Sequence, residues 1–252
     1  MSDNGNTGTV VSLRQVGKNY GGLTALSGVD LGVNRHEVMA LVGDNGAGKS
    51  TLVKIISGVE QPDHGSITVM DQEAKIDSPR DARRLRIATL HQSLGLVDCF
   101  NVVENIFLGR EIVGRSLGIL PCLSHAAMRR RADGLMERLG IRLRSLDQPV
   151  STMSGGQRQA VAISRLLLDE PNLIIMDEPM AALGVDEGMK ILNLVSQLAR
   201  QGISILIISH NLEHVFTISN RIAVLKNGRL VGVVETARTN RQEITSMIVN
   251  GA

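Results

Sequence analysis

Three stretches of this chain are apolar without a break: Val38-Met39-Ala40-Leu41-Val42, Leu173-Ile174-Ile175-Met176 and Ile205-Leu206-Ile207-Ile208. Strands covered on both faces of a parallel sheet have this pattern, because no position points to water. Elsewhere the pattern alternates. Val11-Ser12-Leu13-Arg14 and Val29-Asp30-Leu31 put apolar residues on one face, as half-buried strands do. Ser66 to Met70 is another short strand, after the turn Glu60-Gln61-Pro62-Asp63-His64-Gly65. These pieces, with a turn at Tyr20-Gly21-Gly22, predict a small antiparallel sheet laid against a parallel core. Ile222 to Leu225 and Leu230 to Val234 flank Lys226-Asn227-Gly228-Arg229, whose Asn-Gly centre predicts a hairpin.

Helical spacing takes over between these strands. Thr51 to Ser57 is helical, and Ser78-Pro79-Arg80-Asp81 starts another helix: Ser78 caps, Pro79 suits the first position, and Asp81 complements the dipole. Arg86 to Leu90 then reads as a strand leading to His91-Gln92. From about Asn101 to Leu168 the pattern is mostly helical, with Met128, Ala132, Leu135, Met136 and Leu139 on one stripe and Gly140 ending that helix. A helix from about Arg241 to Val249 follows the hairpin. The helical middle interrupts a β/α alternation and is expected to be an inserted subdomain.

Composition narrows the class. The 252 residues are 43% hydrophobic, enough for one large α/β domain. Lys+Arg 27 against Asp+Glu 25 leaves a net charge of +2, which predicts neither a nucleic-acid binder nor a polybasic membrane anchor. Arg129-Arg130-Arg131, the tightest basic run, lies on the helix of the Met128–Leu139 stripe and is read as its solvated face. The two cysteines, Cys99 and Cys122, have no metal-type spacing and suit a reducing compartment. The polar N-terminus lacks a secretory h-region, and the apolar runs are far shorter than a membrane span, so a soluble, cytosolic chain is expected.

The chemistry starts at Gly43-Asp44-Asn45-Gly46-Ala47-Gly48-Lys49-Ser50-Thr51, a G-x-x-x-x-G-K-S loop between a buried strand and a helix. Glycines let backbone N–H groups turn inward onto phosphates, and the helix start adds partial positive charge. Lys49 supplies a point charge for the β- and γ-phosphates, and Ser50 a hydroxyl for Mg²⁺. The fold class is therefore α/β: a P-loop NTPase core with a mainly parallel sheet, an antiparallel β subdomain and an inserted α-helical subdomain. The expected division of the single domain 1–252 is 10–90 with 169–235 as core and β subdomain, about 93–168 as helical subdomain, and 236–252 as C-terminal helix.

Asp177-Glu178 closes the apolar run Leu173 to Met176, at the strand end where open α/β sheets bind ligands. Alone, such a pair is ordinary. With the phosphate loop upstream, Asp177 is the candidate Mg²⁺ residue and Glu178 the residue that polarises the attacking water. Ser154-Gly155-Gly156-Gln157-Arg158 opens the helical run Gln159 to Leu168, a second turn suited to an anion by the same N–H and dipole logic.

Over nearly its whole length the chain resembles the ATP-binding subunit of an ABC transporter. Ser154-Gly155-Gly156-Gln157 matches that family's signature, with Met153 where Leu is usual. Tyr20 falls where the family stacks an aromatic ring on adenine. Gln92 falls at the Q-loop, whose residue touches Mg²⁺ and the attacking water and senses the membrane partner. His210, after the strand Ile205 to Ile208, matches the switch histidine of the γ-phosphate. Taken singly, Gln92 and His210 are ordinary strand-end residues; their order along the chain gives them meaning. His36, His64, His91, His125 and His214 are read as surface or local packing.

The resemblance implies a head-to-tail homodimer that buries two ATP molecules, with Ser154 and Gly156 of one chain completing the γ-phosphate site of the other. It implies integral-membrane permease subunits docked near Asn101 to Gly109, an indirect solute-binding protein, no nucleic acid, and a peripheral place on the cytoplasmic face of the membrane. One departure stands in Pro179-Met180-Ala181-Ala182-Leu183-Gly184-Val185-Asp186: Gly184 occupies the position where the family usually has Asp, and Met180 one where Thr is common. Asp186 is not assigned as a substitute. The wording there, with Ile87 to Gln92 and Val103 to Glu111, resembles ATPases of ribose-, xylose- and fructose-type importers, so the expected function is ATP hydrolysis driving monosaccharide import. The alternative is a non-transport ABC ATPase acting on ribosomes or DNA, which predicts basic extensions. An inactive regulatory subunit would have lost Glu178 or His210.

Overall fold

The computed structural model describes residues 8–116, 120–181 and 183–251. In chain order the elements are β1 (Thr9–Tyr20), β2 (Leu23–Asn34), β3 (Val38–Val42), α1 (Lys49–Ile56), β4 (His64–Val69), β5 (Gln72–Glu73), α2 (Pro79–Arg84), β6 (Ile87–Leu90), α3 (Val102–Phe107), β7 (Val113–Ser116), β8 (Leu120–Leu123), α4 (His125–Arg138), α5 (Gly155–Leu166), β9 (Leu173–Asp177), α6 (Val185–Arg200), β10 (Ser204–Ile208), α7 (Leu212–Ile218), β11 (Arg221–Lys226), β12 (Arg229–Glu235) and α8 (Arg241–Asn250). They fall into two units: Met1–Gln92, Asp169–Pro179 and Val195–Ala252 form the first, Ser93–Leu168 and Met180–Leu194 the second.

The first unit holds both large sheets. Its six-stranded sheet runs β12-β11-β3-β10-β9-β6; β11, β3, β10, β9 and β6 are mutually parallel and β12 pairs antiparallel with β11. The unbroken apolar runs are its centre, with every residue of β3 and β10 buried. The four-stranded antiparallel sheet runs β2-β1-β4-β5. Its inward residues, such as Leu13, Val16 and Leu26, share one core with Leu41, Leu52 and Ile56. In β1 the alternation of Val11 to Arg14 is interrupted at Gln15, whose φ of 49° marks a register shift between Leu13 and Val16. The extra residue lets Leu13 and Val16, three apart, both face inward. Ser78 caps α2 by accepting from Asp81 N–H, with Pro79 at the helix start. The Asn227-Gly228 hairpin forms with both residues at positive φ, 48° and 75°.

The second unit is mainly helical. Met128, Ala132, Leu135, Met136 and Leu139 are all buried, while Arg129, Arg130 and Arg131 are exposed. The helix α4 ends at Gly140, φ 64°, where Gly140 N–H donates to Glu137 O and Ile141 N–H to Met136 O. Those two bonds are the glycine stop that satisfies the last carbonyls. Two features differ from the helical reading of this region. Val113 to Leu123 contains the antiparallel pair β7–β8, too short to register as a strand pattern. Arg129 and Arg131 are also tethered, Arg129 to Asp147 and Arg131 to the Leu168 carbonyl at 2.9 Å. Among the described residues no helix is long and apolar enough to cross a membrane. The polar N-terminus (1–7) and Ala182 lie outside the described residues.

Candidate functional site

Sheet order explains why residues distant in sequence meet. Strands β3, β10 and β9 are parallel neighbours, so their C-terminal ends lie side by side. The first leads into the glycine loop and Lys49, the second to His210, and the third ends at Asp177, with Glu178 next. A row of loops at the carboxyl ends of parallel strands is where sheets of this kind bind ligands.

The loop itself is a backbone cradle. Gly43, Gly46 and Gly48 have φ of 152°, 80° and 104°, a region other residues rarely adopt. A Cβ on Gly43 would sit 2.1 Å from Leu225 O, and one on Gly48 2.7 Å from Ala25 O. Ala47 N–H donates to Asp44 O at 3.1 Å, closing the turn. Helix α1 starts from Gly48 with no side-chain cap and no acidic residue in its first turn. Its first amides are therefore spoken for by no side chain, as an anion site requires. Lys49 folds back, donating to Gly43 O at 2.7 Å and Asp44 O at 2.8 Å. Ser50 and Asn45 are exposed beside it, and Thr51 is half-buried.

The hairpin turn adds a support not read from the sequence. Gly228 N–H donates to Ala47 O at 2.9 Å, and Ser27 N–H donates to Gly228 O at 2.8 Å. The turn Asn227-Gly228 thus props the glycine loop from below as well as reversing the chain. The local pattern reveals the hairpin; nothing in it reveals what the hairpin touches.

Charges converge at the strand ends. Burial pushes the pKa of Lys49 down, while Glu178, Asp177 and Asp44 act in the opposite sense. Burial, then the neighbouring Glu178, pushes Asp177 above the usual carboxylate range, against His91 and Lys49. His91, read as a surface residue, is exposed but belongs to this electrostatic group. Glu178 has φ 49°, a left-handed conformation that strains a side-chain-bearing residue. Its N–H is held by Ile208 O at 3.0 Å, and its Oε1 lies 2.9 Å from His210 Nδ1. An ionised carboxylate only accepts, so Nδ1 carries the hydrogen in this pair. Glu178 is 19% exposed at its side chain and His210 77%.

Tyr20 stands at the end of β1, 40% exposed, its ring 5.6 Å below the Lys18 ammonium. Gln92 is exposed beyond β6, the last residue of the first unit before the chain enters the second. Ser154, Gly155, Gly156 and Gln157 lie in the second unit, opening α5. There Ser154 accepts from Gln157 N–H, and Gln157 accepts from Ser154 N–H at 3.1 Å, a complete capping box. Glycine at 155 and 156 has a packing reason: a Cβ would meet Leu183 at 2.8 Å and Glu187 at 3.2 Å. At Gly184 a Cβ would meet nothing within 4 Å, so packing does not demand glycine there.

The donor set suits Mg²⁺ held jointly with phosphates. Among the described residues no three His, Cys, Asp or Glu side chains gather into a metal cage. The exposed hydroxyl of Ser50 and the carboxylate of Asp177, whose charge is disfavoured by burial and by Glu178, are oxygen ligands of the kind such a shared ion uses.

Fold, glycine cradle, lysine and strand-end carboxylates together define a P-loop nucleotide-binding domain. Residues 26–181 match the family described as ABC transporter. The xylose/arabinose import ATP-binding protein XylG of Sulfolobus acidocaldarius is 40% identical over 96% of this chain and 95% of that protein. The fructose import ATP-binding protein FrcA of Rhizobium meliloti is 40% identical over 89% of this chain and 88% of its own. The ribose import ATP-binding protein RbsA 1 of Burkholderia thailandensis is 38% identical over 96% of this chain, which spans 47% of that longer protein. Among solved structures, a nucleotide-free ATP-binding cassette from an ABC transporter superposes with TM-score 0.82 at 26% identity, covering 96% of each chain. A dimeric post-hydrolysis cassette bound to ADP and Pi superposes with TM-score 0.74 at 26% identity, over 90% of this chain and 98% of that one. The chain belongs to the ABC transporter family and is an ABC-type ATPase.

Proposed function

We propose that this protein hydrolyses ATP to drive import of a monosaccharide through a separate membrane permease, from the cytoplasmic face of the membrane. The observation that carries this is the 40% identity to a xylose/arabinose import ATPase over nearly the full length of both chains. In this reading the amides of Gly43, Asn45, Gly46, Gly48, Ser50 and Thr51 cradle the phosphates, Ala47 holds the cradle closed through its bond to Asp44 O, and Lys49 leaves its two backbone carbonyls to meet the β/γ-oxygens. Tyr20 stacks on adenine. Ser50 and Asp177, with Gln92, hold Mg²⁺, which when bound neutralises charge on the phosphate oxygens. Glu178 takes the proton of the attacking water, and His210, held at Nδ1 by Glu178, faces the γ-phosphate.

Two copies pair head to tail, and Ser154, Gly155, Gly156 and Gln157 of one complete the γ-phosphate site of the other. The dimeric cassette among the structural neighbours supports this pairing. Loss of the γ-phosphate then lets the pair open, a switch of a known physical kind. In this reading the core, the helical subdomain, which here also takes Met180–Leu194, and the C-terminal helix are the working parts, and a solute-binding protein selects the sugar upstream of the permease.

The test is a pull-down of the tagged chain from detergent-solubilised native membranes, with uptake of labelled ribose, xylose and fructose measured in cells carrying the parent or Glu178→Gln. A multi-span permease in the pull-down, and uptake of one sugar lost with Glu178→Gln, is the expected result. Ribosomes or DNA-bound proteins without a permease would overturn the transport reading and leave the ATPase chemistry.

A further inference from the structure

The segment directly after Gln92 is held in an unusual way, and every hold lies within the second unit. Arg165, near the end of α5, donates from Nη1 to Gly95 O at 2.8 Å and from Nη2 to Leu94 O at 2.6 Å. Two helical turns earlier, Arg158 pairs with Asp98. From α3, the fully buried Asn105 accepts from Val97 N–H at 2.7 Å and donates to Val97 O at 3.1 Å.

Geometry makes these holds a splint. Residues seven apart lie on nearly one face of a helix, about 10 Å along its axis. The four steps from Leu94 to Asp98 reach at most about 14 Å when extended. The later arginine holds the start of the segment and the earlier one its end, so the segment runs antiparallel along α5, fastened at both ends. Gly95, with φ 58°, lets the chain turn as it enters this track.

The choice of arginine at position 165 carries information. Its hydrogen bonds go to two successive backbone carbonyls from two separate nitrogens of one planar guanidinium, a fork of fixed spacing that a single ammonium nitrogen does not reproduce. Burial, and then the nearby Arg110, push its pKa down, so this cation is held at a cost. Stabilising α5 would not need it. Arg110 itself donates to Arg165 O at 3.3 Å, which fixes the helix end beneath the fork.

We propose that Arg165, helped by Arg158, is a positioning residue for hydrolysis: it fastens the segment carrying Gln92 to the helix that begins with Ser154, so that the two move together. The inference rests on the reading of Gln92 as a site residue. One rigid helix would then carry the signature turn at its start and, through Arg165, set how freely Gln92 can swing at its end. Leu94 lies two residues from Gln92, so fixing its carbonyl confines Gln92 to a radius of about 7 Å.

Cys99 offers a native probe, being exposed and inside the fastened segment. In full-length protein with Cys122→Ser, a nitroxide on Cys99 reports the segment's mobility by electron paramagnetic resonance, independently of ATP turnover. Arg165→Met is expected to sharpen that spectrum, to lower kcat about tenfold or more with KM for ATP near parental, and not to be rescued by Arg165→Lys. In a Gln92→Ala background, Arg165→Met is expected to lower kcat no further. Asp98→Asn, an exposed change that leaves α5 intact, is expected to act in the same direction more weakly, and decides the matter should Arg165→Met fail to fold.

An unchanged spectrum overturns the splint. A sharpened spectrum with the same loss of kcat in both backgrounds overturns the link to Gln92. If Gln92→Ala alone leaves kcat parental, the reading of Gln92 falls, and the spectrum by itself decides whether Arg165 fastens the segment.

Discussion

The chain contains two glycine turns that open a helix and suit an anion, and they are built oppositely. The loop Gly43 to Lys49 leads into α1 without any side-chain cap, and its glycines stand at positive φ. The turn Ser154-Gly155-Gly156 leads into α5 with a complete capping box from Ser154 and Gln157. The first leaves its helix start without a side-chain cap, in a conformation that other residues rarely adopt. The second meets part of its own demand, and its glycines are there to clear Leu183 and Glu187. A site that must bind phosphate by itself has to stay uncapped. In the proposed dimer, where this turn would meet the partner's phosphate, the capping box satisfies the helix start while the chain is alone.

The largest expected effect comes from the chemistry both turns would frame. Glu178→Gln should retain ATP binding and lower kcat by about 10²–10⁴-fold, and should accumulate a nucleotide-bound dimer on gel filtration. Turnover at the parental rate would remove Glu178 as the proton acceptor. Next, Lys49→Ala should cut kcat/KM by about 10²–10³-fold, chiefly through binding measured by calorimetry. Near-normal affinity would make the loop an ordinary turn and abolish the contrast with α5. Ser154→Ala sharpens the contrast, since only this turn has a cap to lose. The thermal midpoint without nucleotide should fall by the equivalent of about 0.5–2 kcal/mol, with monomer ATP affinity unchanged.

The smallest effect concerns the carboxylates beside the first turn. Burial and Glu178 hold Asp177 above its unfolded-state pKa, so its ionised form opposes folding. That opposition is absent below the ordinary Asp range and complete above the raised value. Asp177→Asn should therefore raise the melting temperature of nucleotide- and metal-free protein at neutral pH, by no more than about 2–4 °C for a half-exposed group. The gain should vanish as pH falls below about 4. A gain that persisted there would assign the effect to packing rather than charge.

Much of this was legible in the residues. Uninterrupted apolar runs mark β3, β9 and β10 because a strand covered on both faces has no polar position. The helix start at Ser78, the glycine stop at Gly140 and the Asn227-Gly228 hairpin are local, so local chemistry reveals them. The pair β7–β8 escaped notice because strands of 4 residues show too little alternation to stand out. The bulge at Gln15 hid how far β1 extends, since one extra residue inverts the alternation.

By itself, the sequence determined which side chains can do the chemistry. A lysine after a glycine loop, a carboxylate pair at a strand end and a histidine after a buried strand are matters of covalent order. What only the tertiary structure decided is which of them meet. Parallel pairing of β3, β10 and β9 brings Lys49, His210 and Asp177-Glu178 to one edge, and hydrogen bonding fixes Glu178 to His210 at 2.9 Å. Gly228 beneath Ala47, and Arg165 on the carbonyls of Leu94 and Gly95, are joined across long stretches of chain by backbone groups. Every residue carries those same groups, so no pattern of side chains records which of them will be paired.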